Sequence, residues 1–493
     1  MIPLPLLVLA LLPFALAAPH PDNYNVDNSI HIPILRRAIT PEQRIANLPK
    51  IIDAMRVKYG YKSVNQKRST TNSPITDEGN DSSYSGVVRI GTPAQEFQLI
   101  LDTGKCLCRL WPIAAHPFPG SSDLWVATDQ CSTCSGVPLF NPSKSSSYKN
   151  DASTLQITYG SGEVQGSVSE DTVSFAGFTM SQQLLSVSLT TDGLLSTGLS
   201  GIIGLAFDPL SALQTTPFWQ VLLNQNKLSS SVFSFYLARL IDADQMDQAP
   251  GGTFTLGGTN TSLYSGNIEF INMPSGTTPA FWFQQVQTMT VQSKSISISN
   301  SDGLAAVDTG TTLIAAPSNV AKEIWSNVPG STALGNQFQG MYAFPCNTNV
   351  SVSISFGGTH WAINPDDMNL GPISGSGKNQ MCVGGIFDIG NTVGSGQGVP
   401  SWIIGDTFLK NVYSVFQANP PAVGFAQLAN GLSGSTDTPA GSSTNSFTGS
   451  TGIPVPTSSS SSPLGINGAS PSLIVSTSMC LVVALLSGFL ITF

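Results

Sequence analysis

Leu101-Asp102-Thr103-Gly104 and Val307-Asp308-Thr309-Gly310 are two copies of one pattern, an apolar residue followed by Asp-Thr-Gly. Each copy has a later companion, Gly201-Ile202-Ile203-Gly204 in the first half and Trp402-Ile403-Ile404-Gly405 in the second. A single Asp-Thr-Gly is a trivial match. Two copies with the same companion at a similar separation indicate that one half of the chain is a version of the other.

The sequence around these copies, from about residue 84 to 428, consists of short β-type runs separated by Gly, Ser, Asn and Pro. Regular short strands with turn signals predict an all-β architecture. Few stretches are helix-like, among them Trp219–Asn226 and Val320–Asn327. The clearest β-type runs are Tyr84–Ile90, Glu96–Leu101, Leu155–Tyr159, Thr253–Leu256, Ser295–Ser299, Val350–Phe356 and Ser414–Phe416.

Composition points to a secreted protein. The chain has 493 residues, of which 41% are hydrophobic and only 10% charged, and this length suffices for two or more sizeable cores. Residues 1–68 carry a net charge of +5, whereas residues 69–493 carry −14. A basic head on an acidic body favours an intramolecular clamp, with a basic linker that has no role as the alternative. The acidic body argues against a nucleic-acid partner.

The head has the features of a leader and a propeptide. Residues 2–16 are nearly all apolar and Ala15-Leu16-Ala17 fits the small-x-small cleavage rule, which predicts a signal peptide over residues 1–17. A propeptide is predicted over 18–68, closed by Lys67-Arg68, a dibasic pair typical of kexin-type processing. The peptidase domain is then expected over 69–430. Helix-like spacing occurs at Ile45, Leu48, Ile52 and Met55.

The end of the chain changes composition twice. Residues 431–472 are rich in Ser, Thr, Gly and Pro, which predicts a flexible, O-glycosylated stalk. Residues 473–493 are apolar to the last residue, and no Lys or Arg follows Lys410. We expect a GPI-anchor signal that is removed, with a retained tail anchor as the alternative. Sequons at Asn80, Asn260 and Asn349 are compatible with a secreted glycoprotein.

The duplicated Asp-Thr-Gly suits acid peptide hydrolysis, which needs an activated water without a strong base. Two carboxyl groups about 3 Å apart cannot both ionise comfortably, so they share a proton and titrate as a pair. Asp102 and Asp308 would carry the acid. The Thr hydroxyl of each loop can bond to the opposite loop, and each Gly lets the backbone approach the carboxylate.

Other hydrolytic chemistries lack their residues. The chain has four histidines, and three of them lie in the predicted propeptide (His20, His31) or in a suspect insertion (His116). His360 is expected to be a surface strand residue. There is no G-x-S-x-G or H-E-x-x-H, and Cys131-Ser-Thr-Cys134 has no partner cluster, so we expect no metal and no cofactor.

The two Asp-Thr-Gly loops, the Ile-Ile-Gly pair and the run Ile157-Thr158-Tyr159-Gly160-Ser161-Gly162 resemble the pepsin-like aspartic proteases of fungal, secreted type. The similarity covers roughly Tyr84 to Leu428. It implies a bilobal β fold with the active cleft between an N-lobe at about 84–255 and a C-lobe at about 256–430. It also implies a monomeric aspartic endopeptidase that hydrolyses polypeptides at acid pH.

The resemblance also assigns roles to residues. Asp102 and Asp308 would form the catalytic dyad, and Tyr159 would be the flap tyrosine that closes over substrate. The remaining implied roles are dyad support from Thr103, Gly104, Thr309, Gly310 and Ser121, substrate contacts from Gly160, Ser161, Gly162, Ile202 and Thr311, and the disulfides Cys131–Cys134 and Cys346–Cys382.

Lys58-Tyr59-Gly60 resembles the pro-segment region that blocks the cleft in this family. Lys58 is therefore expected to pair with the aspartates at neutral pH, which makes the propeptide an intramolecular inhibitor. As the pH falls, carboxylates of the body take up protons, and the attraction to the basic head weakens.

The first loop departs from the family pattern Asp-Thr-Gly-Ser-Ser-x-Leu-Trp-Val, because residues 105–120 separate Gly104 from Ser121. One interpretation is a translated intron. Gly104-Lys105-Cys106 can be encoded GGT-AAG-TGC, which contains the donor sequence GTAAGT, and Pro119-Gly120 can supply the acceptor AG. Without this segment and the tail, four of the seven cysteines remain, which suits pairing in an oxidising compartment.

The other interpretation is a real insertion, which would pull the Ser121 hydroxyl away from Asp102. Catalytic carboxylates tolerate little misplacement. In that case the chain would be an inactive pepsin-like protein that binds peptides or wall polymer.

Overall fold

The computed structural model describes residues 30–36, 41–61, 84–104, 122–159, 162–191, 194–195, 198–239, 249–390 and 399–432. Several features predicted from the sequence lie outside the described residues. They are the signal peptide, Lys67-Arg68, Asn80, the 105–120 segment, Ser121, Gly160, Ser161, the stalk and the apolar tail.

The first half of the described chain contains ten strands and two helices. In chain order they are β1 (Ile30–Arg36), α1 (Pro41–Lys58), β2 (Tyr84–Ile90), β3 (Gln95–Asp102), β4 (Leu124–Ala127), β5 (Lys149–Tyr159), β6 (Gly162–Phe175), β7 (Phe178–Thr190), β8 (Leu199–Gly204), α2 (Phe218–Asn224), β9 (Val232–Leu237) and β10 (Ala249–Leu256).

The second half repeats the predominance of short strands. Its elements are β11 (Tyr264–Asn272), β12 (Phe283–Gln285), β13 (Thr288–Val291), β14 (Lys294–Ser297), β15 (Leu304–Val307), β16 (Ile314–Ala316), α3 (Ser318–Ser326), β17 (Thr332–Ala333), β18 (Tyr342–Pro345), β19 (Val352–Ser355), β20 (His360–Ile363), β21 (Asn369–Ser374), β22 (Met381–Gly384), β23 (Ile386–Asp388), β24 (Trp402–Ile404), α4 (Asp406–Leu409), β25 (Val412–Ala418) and β26 (Pro421–Leu428).

The predicted all-β, bilobal fold is confirmed. All seven β-type runs are strands, although several boundaries differ. The run Leu155–Tyr159 is only the end of the longer strand β5. The first residues of β5 are polar and exposed, so the sequence shows no apolar alternation there and the start of the strand was not predicted. His360 is an exposed residue of β20, as expected. Both expected helices are present as α2 and α3.

A large sheet links the two halves. Its strand order is β11-β26-β25-β9-β10-β1-β2-β3-β8-β4-β7-β6-β5. β1, from the basic head, pairs antiparallel with β10 over its whole length and with the start of β2. The head is therefore part of the sheet and not an appendage to it.

The duplicated motifs adopt the same strand arrangement in each half. In the first, β8 lies between β3, to which it is parallel, and β4, to which it is antiparallel. In the second, β24 lies in the same way between β15 and β16. Ile203 and Ile404 occupy equivalent places. Ile203 is paired with Leu101, and Ile404 with Val307, the residues directly before the two motif aspartates.

The helix α1 covers an apolar surface of the second half. Its residues at the predicted spacing, Ile45, Leu48, Ile52 and Met55, are all buried. They belong to one cluster with Phe281, Leu313, Phe387 and other buried apolar side chains. Burial of this stripe explains why a helix with mixed polarity stays bound to the body.

Two further findings concern the disulfides and the helices. The disulfides Cys131–Cys134 and Cys346–Cys382 are both present. Among the described helices, none has the length and apolar character needed to span a bilayer.

Candidate active site

The two Asp-Thr-Gly loops meet in the structure. Asp102 is the last residue of β3 and Asp308 directly follows β15. Both aspartates are fully buried. Leu205 N donates to Asp102 O at 2.8 Å and Asp308 N donates to Ile404 O at 3.0 Å, so each loop is fixed by the strand that carries the Ile-Ile-Gly element.

The threonines join the loops by reciprocal hydrogen bonds. Thr309 N donates to Thr103 Oγ1 at 2.9 Å, and Thr103 N donates to Thr309 Oγ1 at 3.3 Å. Each hydroxyl also donates to the backbone carbonyl before the opposite aspartate, Thr103 to Val307 at 3.1 Å and Thr309 to Leu101 at 2.8 Å. This symmetric set of buried bonds holds the two aspartates in a fixed relation.

The glycines allow the carboxyl groups to approach. A Cβ atom on Gly104 would overlap the Asp308 carboxyl group, and one on Gly310 would overlap that of Asp102. Each glycine also donates its N–H to the aspartate of its own loop, Gly104 to Asp102 Oδ1 at 2.9 Å and Gly310 to Asp308 Oδ1 at 2.8 Å. Only glycine fits both demands.

Of the substrate-contact residues expected from the sequence, Thr311 contacts the dyad directly. Thr311 Oγ1 donates to Asp308 Oδ2. Ile202 is buried on β8 and is paired with Trp125 on β4. Tyr159 pairs with Gly162 across the end of the β5–β6 hairpin, where the flap is expected. The side chain of Tyr159 lies outside the described atoms, as do Gly160 and Ser161.

The head of the chain occupies the site. Lys58 Nζ contacts Asp308 Oδ2 as an ion pair and also donates to Thr311 Oγ1 at 2.9 Å. The Tyr59 hydroxyl lies 2.5 Å from Asp308 Oδ2 and 2.8 Å from Gly104 O. It has one proton and therefore donates to one of them at a time. Lys58 and Tyr59, together with Thr311, thus fill the hydrogen-bonding positions of Asp308 Oδ2.

These contacts set the ionisation of Asp308. Burial raises its pKa, but the Lys58 ammonium, together with hydrogen bonds from Lys58, Thr311 and Tyr59, outweighs burial and holds the pKa below its usual value. Asp308 therefore faces the head as a carboxylate.

Two buried aspartates near the loops were missed from the sequence. Asp123 accepts hydrogen bonds from Ser211 Oγ at 2.7 Å, Ala212 N at 2.8 Å and Leu213 N at 3.1 Å, although burial raises its pKa. Asp406 is fully buried, and burial raises its pKa well above the usual value, with Lys410 opposing and Asp308 reinforcing the rise. Burial therefore favours the protonated form of Asp406 beside the dyad. The signal that could have found Asp406 is a difference between the two repeats: an aspartate follows Gly405, whereas Leu205 follows Gly204.

The donor set gives no sign of a metal centre: in the described part of the chain, His, Cys, Asp and Glu side chains do not form a group of three or more that could hold an ion.

Comparisons with known proteins agree with this geometry. A family model described as eukaryotic aspartyl protease matches residues 119–428. The chain is 40% identical over 389 residues to major aspartyl peptidase 1 of Cryptococcus neoformans var. grubii. The aligned region covers 77% of this chain and 75% of that protein. The chain is 32% identical to an aspartic protease of Phaffia rhodozyma, with 75% and 83% covered, and 30% identical to human cathepsin D, with 71% and 81% covered.

The family match begins at Pro119, at the end of the 105–120 segment, and includes the whole of the second aspartate loop with its companion strand. The first loop repeats the geometry of the second and is bonded to it. Because the match spans well over half of the chain, this protein belongs to the eukaryotic aspartyl protease family, the aspartic endopeptidases.

Proposed function

We propose that the chain is the precursor of an acid endopeptidase in which Asp102 and Asp308 share one proton. The charged carboxyl group would take a proton from a water molecule, while the protonated one donates a hydrogen bond to the scissile carbonyl. The observation that carries this proposal is the reciprocal bonding of Thr103 and Thr309, which brings two buried carboxyl groups together.

The surrounding residues have distinct proposed roles. Thr103, Gly104, Thr309 and Gly310 would hold the dyad in register, and Ser121 would bond to Asp102 as Thr311 bonds to Asp308. Gly160, Ser161 and Gly162 would contact the substrate backbone from the flap that carries Tyr159, and Ile202 would line an apolar pocket. Substrates are expected to carry bulky apolar residues, because release of α1 would uncover Phe281, Leu313 and Phe387.

Residues 18–68 are proposed to be an inhibitory propeptide. Lys58 and Tyr59 occupy Asp308, and α1 covers the apolar surface beside it. Removal of this segment would free Asp308 Oδ2 for a water molecule and a substrate. Processing after Lys67-Arg68 would sever the segment from the body.

The chain is further proposed to be a secreted, glycosylated monomer held at the cell surface by a GPI anchor. Asn349 is exposed and Asn260 is half-buried, which is compatible with a glycan at the former. Release of the protein from cells by a phosphatidylinositol-specific phospholipase C tests the anchor. Retention on cells after that treatment would favour a tail that stays in the membrane.

The dyad is tested by Asp102→Asn and Asp308→Asn, each assayed on an unfolded protein after acid activation. We expect each variant to lose activity on the order of a thousandfold or more, since neither amide can share or release a proton. Asp366→Asn, at an exposed acid, is the matched control and should retain activity. Full activity in either dyad variant would refute the mechanism.

A second candidate function is peptide or wall binding without catalysis. The observation that favours it is the separation of Ser121 from Gly104 by residues 105–120. Activity of the chain with and without this segment distinguishes the two functions.

A further inference from the structure

One arginine of the inhibitory segment is bound in an unusual way. Arg56, near the end of α1, is only 3% exposed. Its guanidinium donates to three backbone carbonyls of the body, from Nε to Ile389 O at 3.0 Å and from Nη2 to Gln339 O at 3.1 Å and Asp388 O at 2.6 Å. All three of these hydrogen bonds are made with the body.

The body side of this contact is shaped for a planar cation. The guanidinium carbon lies 6.0 Å from the centroid of the Phe387 ring, and the Asp388 carboxylate attracts the charge, although burial lowers the pKa of Arg56. A Cβ atom on Gly340 would overlap Nη2, so glycine at this position leaves the space that the fork occupies. Converging carbonyls, an aromatic face and a nearby carboxylate form a guanidinium pocket.

The pocket lies at the end of β23, in the same sheet as β15 and β16, which flank the second aspartate loop. Ile389 N donates to Ala316 O at 3.0 Å, and β16, which ends at Ala316, directly follows the second aspartate loop. Arg56 lies two residues before Lys58 on α1, and Lys58 contacts Asp308. Two residues correspond to about 3 Å along a helix axis. The inhibitory segment therefore fills the pocket and the dyad at the same time.

We propose that, once the inhibitory segment has left, this pocket is a substrate subsite for an arginine side chain. The proposal rests on the proposed endopeptidase function and names a substrate feature for it: one arginine beside an otherwise apolar recognition sequence. The carbonyls of Gln339, Asp388 and Ile389 and the Asp388 carboxylate would receive the substrate guanidinium as they receive that of Arg56. Lysine fits less well, because one ammonium cannot follow a planar arrangement of three acceptors.

The test compares substrates that differ in one charge. Peptides with a single scissile bond carry arginine, or its neutral isostere citrulline, at each position near that bond in turn, and the mature enzyme is assayed by kcat/KM. At one position we expect arginine to be preferred by about tenfold, the size expected for hydrogen bonds to a charged group. Asp388→Asn should reduce that ratio towards one, because the amide keeps an Oδ1 acceptor for Ser318 Oγ and Gly390 N but loses the charge.

Glu323→Gln is the matched control, since it removes an exposed charge from α3 and should leave the ratio unchanged. Arginine and citrulline are then placed in turn in non-cleavable statine-type peptides, whose binding is measured by calorimetry. Tighter binding of the arginine peptide by a chain that cleaves nothing would support the subsite while the endopeptidase proposal fails. Equal ratios at every position, or a preference of undiminished size in Asp388→Asn, would overturn the subsite.

Discussion

At the scale of single residues, Lys58 is the group that lowers the pKa of Asp308 most. Its ammonium keeps a buried carboxyl group ionised, and that carboxyl group in turn holds the end of α1. Because Asp308 has a lowered pKa while Lys58 is bound, the contact is fully present above the usual value of 3.8. It is lost as the pH falls through the lowered pKa.

Lys58→Met should therefore release the inhibitory segment without acid. The variant leaves a buried carboxylate without its cation, which costs about 3–5 kcal/mol of the docking free energy. Conversion to the mature form, followed by gel electrophoresis and N-terminal sequencing between pH 3 and pH 7, should occur near neutrality in the variant and only in acid in the parent. Lys50→Met removes an exposed lysine of the same helix and should convert like the parent. Conversion of both variants at the parent's pH would contradict this role of Lys58.

A second buried carboxylate stabilises the body. Asp367 accepts from Arg239 Nη2 at 2.5 Å and from Lys410 Nζ at 2.8 Å, and all three side chains are less than a tenth exposed. Burial raises the pKa of Asp367, but Lys410 and Arg239 together lower it below its usual value. The cluster therefore stays charged in moderate acid, which suits the proposed activity in acid.

Asp367→Asn should lower the free energy of unfolding by about 3–5 kcal/mol, because two buried cations lose this counter-charge. Urea unfolding at neutral pH measures the loss. The difference from the parent should shrink below the usual pKa of 3.8, as the parent's Asp367 itself takes up a proton. Asp366→Asn, at the exposed neighbour, should change the unfolding free energy by less than about 0.5 kcal/mol. A similar loss in both variants would remove the buried cluster as the cause.

Residue roles differ in how readily a sequence predicts them. Lys58, Asp102 and Asp308 stand in motifs, so they were expected at the site. Arg56 was missed because its partners are backbone carbonyls, which leave no pattern in the sequence.

At the scale of elements, strands with apolar alternation were predictable, but their ends were not. β1 was missed although Ile30, Ile32 and Ile34 alternate. Its Pro33 argues against a strand, and its main partner, β10, lies more than 200 residues further along the chain. Partners at such distance are supplied by the tertiary fold and carry no local signal.

The two disulfides should contribute unequally to stability. Cys346–Cys382 spans 36 residues and joins β22 to the loop after β18, whereas Cys131–Cys134 spans only 3. Chain-entropy arguments give about 4 kcal/mol for the longer loop and about 2 kcal/mol for the shorter. Replacing each pair by serines and comparing urea midpoints should show the larger loss for Cys346 and Cys382. A larger loss for the Cys131–Cys134 pair would mean that local strain, and not loop closure, decides.

At the scale of the whole molecule, the duplication predicts how long the first aspartate loop should be. In the second half, six residues, 308–313, join β15 to β16 on either side of β24. In the first half, β3 and β4 flank β8 in the same way, with Leu101 and Leu124 both paired to Ile203. Their strands are about 10 Å apart, because each is one strand spacing from β8.

Without residues 105–120, the same six positions remain in the first half, namely 102–104 and 121–123. Six residues span about 10 Å easily. Ser121 then takes the place that Thr311 has in the second half, where Thr311 donates to Asp308. The fold therefore has room for the shorter loop, and the shorter loop restores a hydroxyl next to Asp102.

Deleting residues 105–120 should consequently raise kcat/KM after acid activation by at least about a hundredfold over the full chain, because misplacement near a reacting group costs that much. Ser121→Ala in the shortened chain should then lower activity again, whereas the same change in the full chain should have little effect if Ser121 is displaced there. Sequencing the transcript across codons 100–125 shows which form the cell makes. Equal activity of the two forms, with Asp102→Asn inactive in both, would mean that the dyad tolerates the segment and that the symmetry of the two loops does not set their function.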